Sequence, residues 1–177
     1  MKELQDDWLA AWHFAARAHD KQRFPGTELP YLVHLGAVAM EILIAHQALP
    51  FARPALAVQC ALLHDTLEDT ETAVAAIEAA FGAEVTAGVR ALTKNPALDK
   101  HDAMADSLRR IRDQPREVWA VKLADRITNL ASPPAHWTPV KIATYRAEAE
   151  TILAALGEAH APLAERLARR IAAYPPS

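Results

Sequence analysis

Apolar residues recur along this 177-residue chain at spacings of three and four, and nowhere at a clean spacing of two. The first period belongs to helices that bury one face; a half-buried strand would alternate. Alanine, the best helix former because it loses no side-chain entropy, makes up roughly a fifth of the residues. Glycine is limited to 5 positions. The pattern predicts an all-α protein, a compact bundle of helices. Helices are expected over about Asp6–Lys21, Leu32–Gln47, Pro54–His64, Thr72–Phe81, Ala83–Lys94, Asp102–Arg112, Pro115–Ala131, Thr138–Leu156 and Pro162–Ala173. Gly82, Asn95-Pro96, Ser132-Pro133-Pro134 and Gly157 supply stops, and Thr138-Pro139 is a strong cap-and-first-turn pair.

Composition narrows the classes. The net charge of −3 excludes a strongly basic nucleic-acid binder. A hydrophobic fraction of 51% with 23% charge excludes disorder. The single cysteine, Cys60, excludes an internal disulfide and a Cys-rich zinc site, and its apolar neighbours mark it as a core residue. The start of the chain is acidic and lacks a signal-type apolar stretch, and no apolar run approaches the ~18 residues that cross a bilayer. The expectation is a cytoplasmic protein with no membrane or nucleic-acid partner. At ~100–200 residues per domain, residues 1–177 are expected to form one domain.

Some polar residues do not suit a plain bundle. In Cys60-Ala61-Leu62-Leu63-His64-Asp65-Thr66-Leu67-Glu68-Asp69-Thr70 an apolar helix runs straight into His-Asp, then Glu-Asp one turn later. If the helix continues, His64 shares a face with Glu68, and Asp65 with Asp69. Imidazole and carboxylate are suitable ligands for a divalent first-row metal. The same residues would also make a solvated helix end that caps the next helix. Further on, Lys122, Asp125 and Asn129 share one face of a helix whose other face is Val121, Leu123, Ala124, Ile127 and Leu130. Alone, Lys122 and Asp125 are an ordinary surface pair. His34 opens an apolar helix, where core histidine and ligand are both open readings. His19-Asp20-Lys21-Gln22-Arg23 ends the first helix in polar groups.

Taken together these pieces resemble the HD-superfamily phosphohydrolases, and more closely the hydrolase domain of the RelA/SpoT alarmone enzymes and its small stand-alone relatives, including the metazoan SpoT homologue. The resemblance rests on Ala18–Arg23, Tyr31–His34, Leu62–Thr70, Phe81–Val85, Leu92–Lys94 and Val121–Leu130, in the family's order over about residues 8–131; helices over about 138–173 would complete the domain. It implies an HD-type helical bundle and assigns roles. His34, His64, Asp65 and Asp125 match the four metal ligands, and the family metal is usually Mn²⁺. Glu68 and Asp69 match the pair that positions and activates the attacking water. Arg23, Lys122 and Asn129 match positions close to the bound nucleotide. Among Lys21, Arg23, Lys94, Lys100, Arg109 and Lys122, only Arg23 and Lys122 are favoured as phosphate- or base-facing cations.

The implied reaction is hydrolysis of the 3′-pyrophosphate of guanosine 3′,5′-bis(diphosphate), or of its triphosphate form, to GDP or GTP and pyrophosphate. The substrate would be a small nucleotide; the sequence leaves the oligomeric state open. The alternatives are another nucleotide for the same chemistry (NADPH 2′-phosphate or nucleoside monophosphates) and a catalytically silent nucleotide-binding module. Two positions depart from the family pattern. Phe24 stands where a second basic residue is frequent, and Asp20 where glycine is common.

Overall fold

The computed structural model describes residues 3–175, apart from the side chains of Lys100 and His101; Lys100 as a candidate cation lies outside the described residues. The fold is all-α. The helices are α1 Leu4–Ala18, α2 Leu32–Ala48, α3 Pro54–Leu63, the single turn α4 Thr66–Asp69, α5 Val74–Leu92, α6 Lys100–Arg112, α7 Arg116–Asn129, α8 Pro139–Leu156 and α9 Ala161–Ala172. A 3₁₀ turn over Gly157–Ala159 joins α8 to α9. No strand occurs among the described residues; one isolated bridge ties Arg23 to Pro30 across the α1–α2 loop.

Two helices form the interior. Every residue of α3 from Leu56 to Leu63 is buried, as expected of a helix that is apolar on all sides. It packs against α1, α2, α5 and α7, while α7 also packs against α8 and α9. Cys60 is fully buried, as its neighbours implied. Close approach of α5 to α3 depends on Gly88: a β-carbon there would sit 2.7 Å from Cys60 Sγ and 3.0 Å from Val118 Cγ2.

Chain punctuation works largely as the sequence implies. Thr138 accepts a hydrogen bond from the Lys141 amide and starts α8. Gly82 breaks the expected pair of helices with φ 83° and ψ 173°, a conformation open to glycine, although the two halves run on as one kinked element. Helix α3 stops where the sequence implied and does not continue into Glu68 and Asp69. The helix ends at His64, Asp65 turns the chain, and α4 is one separate turn closed by the Glu68 and Asp69 amides on the Asp65 carbonyl.

Replacing Gly88 by Ala is expected to destabilise the fold by about 1–3 kcal/mol through overpacking. Urea denaturation should show a lower midpoint at unchanged m-value; an unchanged midpoint would contradict the tight α3–α5–α7 contact.

Candidate metal centre

Three helices bring their polar residues to one point. His34 stands in the first turn of α2, His64 caps the C-terminus of α3, and Asp125 lies near the end of α7. All three are buried, with one ligand atom of each within 4.8 Å of the others. His34 Nε2 lies 3.4 Å from Asp125 Oδ1, and His64 Nε2 lies 3.6 Å from the same oxygen. Asp65, next to His64 but off the helix, brings Oδ2 to 3.1 Å from His64 Nε2 and 3.6 Å from His34 Nε2.

Each acid in this cluster has its own support. The Tyr31 hydroxyl donates to Asp65 Oδ2 at 2.5 Å. Lys122 Nζ donates to Asp125 Oδ2 at 3.0 Å, and Asn129 Nδ2 donates to Asp125 Oδ1 at 2.6 Å. Lys122 and Asn129 therefore do share one face of α7 with Asp125, as their spacing implied, and both are engaged by it. His64 Nδ1 faces the Ala61 carbonyl at 2.8 Å, which makes that nitrogen a donor and turns Nε2 toward the two acids. Nε2 is buried and has no hydrogen-bond partner among the described residues.

The electrostatics follow from this crowding. Burial disfavours the His64 imidazolium, yet Asp65 and Asp125 outweigh it and push its pKa up to about 10. Burial likewise opposes ionisation of Asp65 and Asp125. The positive charge of His64 beside Asp65, and of Lys122 beside Asp125, holds both carboxyls below their usual range. Burial and the Asp65 charge raise the pKa of Tyr31, so its hydroxyl stays a donor.

The donor set fits a divalent cation. At bond lengths of about 2.1 Å, ligand atoms of an octahedral ion lie about 3 Å apart when adjacent and about 4 Å when opposite; separations of 3.1–3.6 Å match adjacent positions. Two imidazoles and two carboxylates suit a first-row ion and leave open positions. His64 Nε2 points among carboxylate oxygens, a position that takes a proton or, once the proton is displaced, a cation.

Around this centre lie residues that spacing alone does not reveal. Glu68 accepts from Lys94 twice, at 2.7 Å from Nζ to Oε1 and at 3.0 Å from the backbone amide to Oε2. Asp69 Oδ2 accepts from Gln22 Nε2 at 2.9 Å, and Gln22 Oε1 lies 2.5 Å from Nδ1 of the buried His19. The two neighbouring acids are thus held by different elements. Lys94, set aside in favour of Arg23 and Lys122, is the cation on Glu68. Glu68 holds it protonated against the opposing effect of burial. Arg23 is exposed. Phe24 lies nearly parallel to the His34 ring, with centroids 6.2 Å apart, so an aromatic cover stands where the family often has a charge. Arg109 pairs along its own helix with Asp106 and Asp113.

Residues 11–168 match the family model described as HD domain. The chain belongs to the HD domain family. The Danio rerio protein named guanosine-3′,5′-bis(diphosphate) 3′-pyrophosphohydrolase MESH1 is 30% identical over 164 residues, covering 90% of this chain and 89% of that one. The Homo sapiens protein of the same name is 32% identical with the same coverage. A solved structure of a metazoan ortholog of SpoT that hydrolyzes ppGpp and plays a role in starvation responses superposes with a TM-score of 0.81 at 25% identity, covering 94% of both chains. Membership in this HD family implies a divalent metal, and the buried trio of His34, His64 and Asp125 is where this chain could hold one.

Mn²⁺ at about 100 times its dissociation constant should stabilise the chelator-treated protein by about 2.7 kcal/mol. In differential scanning fluorimetry that is a rise of roughly 5–10 °C. Asp125→Asn and His64→Ala should abolish the rise; a rise preserved in both would place the ion elsewhere. Tyr31→Phe should retain the ion with about 10–100-fold weaker affinity, read by equilibrium dialysis.

Proposed function

We propose that this chain removes the 3′-pyrophosphate of guanosine 3′,5′-bis(diphosphate), or of its triphosphate form, giving GDP or GTP and pyrophosphate. The observation that carries the reading is the buried convergence of His34, His64 and Asp125, in a chain aligned over 90% of its length with relatives named for that activity. In this reading residues 1–177 are one HD-type hydrolase unit that works in the cytoplasm, and no helix among the described residues is long and apolar enough to cross a membrane.

His34, His64, Asp65 and Asp125 would hold the ion, Mn²⁺ in this proposal. A bound divalent cation supplies Lewis acidity to a phosphoryl oxygen and makes a neighbouring water easier to ionise. The chain's own residues do the rest. Tyr31 fixes the Asp65 carboxylate, while Lys122 and Asn129 fix that of Asp125. The partner of His64 Nδ1 aims Nε2 at the centre.

Glu68 is the group that takes a proton from the attacking water, and Asp69 orients that water. Both stand on α4, the single turn after Asp65, close in sequence to the ligands His64 and Asp65 of this reading. Lys94 holds the Glu68 carboxylate in place with its ammonium and its backbone amide. Gln22, anchored on His19, fixes Asp69. Arg23 is free to meet the nucleotide from the exposed α1–α2 loop. Lys122 and Asn129 act near the nucleotide through Asp125.

Purified Mn²⁺-loaded protein should release pyrophosphate from the alarmone in step with GDP. Glu68→Gln should lower kcat about 10²–10⁴-fold with bound Mn²⁺ unchanged. Inorganic phosphate from NADPH or nucleoside monophosphates, with no pyrophosphate from the alarmone, would reject the substrate. Absence of turnover on all of them with metal bound would point to a binding module.

A further inference from the structure

We propose that the outer face of α1 and α2 is a homodimer interface, in which the α2 ridge of one copy enters the α1–α2 groove of the other. The observation begins in the sequence of α2. From Leu32 to Ala48 the only acidic residue is Glu41, and no Lys or Arg occurs. Glu41 is buried and clamped by both Arg166 nitrogens, Nε and Nη2, at 2.5 and 2.6 Å, so it does nothing for the outer surface. A helix apolar on all sides belongs in an interior. In α2 one arc, Leu35, Val38, Ile42 and Ala45, is buried. The opposite arc faces outward. Its large residues are Val33, Met40 and Ile44, exposed by 47%, 52% and 57%, with Leu43 beside them. Single exposed apolar side chains are ordinary; a charge-free stripe along one helix is not.

Beside this ridge runs a groove. Helices α1 and α2 both rest on α3 and come close to each other at Gly36, where a β-carbon would meet the Trp12 ring at 3.2 Å. Toward the start of α1 they leave a cavity of about 520 Å³ lined by Leu4, Gln5, Trp8, Leu9 and Leu43. Trp8 forms one wall, stacked on Trp12 with ring centroids 4.7 Å apart. Ridge and groove lie side by side on one surface, which is the requirement of a twofold contact: residue i meets j while j meets i. The occupant that fits is therefore a second copy, with Met40 and Ile44 entering between Trp8 and Leu9 of the partner. Trp and Met are the residue types that interface cores favour.

The area agrees. Leu9, Val33, Met40 and Ile44, each about half exposed, with Leu43 and part of Trp8, present on the order of 500 Å² per copy, hence roughly 1,000 Å² in a pair, the lower bound of a specific interface. The contact would have a polar rim, since Gln5, Gln47 and His13 flank it on the exposed sides of the two helices. The metal ligands are untouched, because His34 lies on the buried arc of α2.

Sedimentation velocity from about 1 to about 100 µM tests this. The expected species is a dimer of twice the 19.4 kDa chain. Ile44→Asp and Met40→Glu should each weaken association about 100-fold, with the far-UV circular dichroism spectrum and metal binding unchanged because both side chains are exposed in the single copy. As a geometric test, Leu9→Cys and Ile44→Cys proteins mixed and oxidised should form a disulfide heterodimer; Cys60 is buried and does not compete. A wild-type protein that stays monomeric at the highest concentration overturns the proposal, including when it sediments instead with phosphatidylglycerol vesicles. So does a dimer unaffected by either charge substitution, or a cysteine pair that fails to cross-link.

Discussion

Asp65 and Asp125 put two carboxylates against two imidazoles where the ends of α2, α3 and α7 meet. Removing a charge from water costs several kcal/mol unless an opposite charge and hydrogen bonds replace the lost hydration. Most of the local architecture supplies that replacement. Tyr31, Lys122 and Asn129 each donate to one of the two acids. His64 spends one nitrogen on the Ala61 carbonyl, which leaves the other without a partner in a pocket of oxygens. No hydrogen bond satisfies that nitrogen among the described residues, and a cation held with the two acids would.

The helical framework was legible in the sequence because its signals are local. The three-and-four spacing, Thr138-Pro139 and Gly82 act within a few residues, and each produced the expected start or break. The end of α3 at His64 was legible as the start of a polar stretch, but the separate turn α4 was not, because helical periodicity continues through Leu62, Thr66 and Asp69. Long-range partners decide it. Tyr31 draws Asp65 from 34 positions away, Lys94 holds Glu68 from 26, and Gln22 holds Asp69 from 47. A continuous helix would aim Glu68 along the His64 side, at odds with the Lys94 contact. The resemblance to alarmone hydrolases pointed to which residues would meet. Tyr31, Gln22 and Lys94 lie inside the matching segments, but no role was assigned to them, because their chemistry is ordinary until their neighbours are known. Phe24 was visible as a departure, but only its stacking on His34 shows what replaces the charge.

Helix α7 carries a line of buried charges, Glu117, Lys122, Asp125 and Arg126; Lys122 pairs with Asp125 on the same helix, and the other three meet different neighbours. Glu117 accepts from the Arg53 amide at the N-terminus of α3, where a negative charge is favoured. Arg126 lies over the Tyr145 ring at 4.3 Å and 3.8 Å from Glu148, both on α8. Asp125 meets α2 and α3 through the two histidines. Alanine-rich helices present shallow surfaces, and apolar contact alone discriminates weakly between one register and its neighbour a turn away. A one-turn slip of α7 would move Asp125 by about 5.4 Å, taking it out of reach of His34 and His64. The same slip would pull Glu117 from α3 and Arg126 from α8, leaving several charges buried and unpaired. The contacts that make the centre chemically competent therefore also fix how α7 sits between its neighbours, and a substitution at Glu117 or Arg126 acts on the metal site through register without touching it.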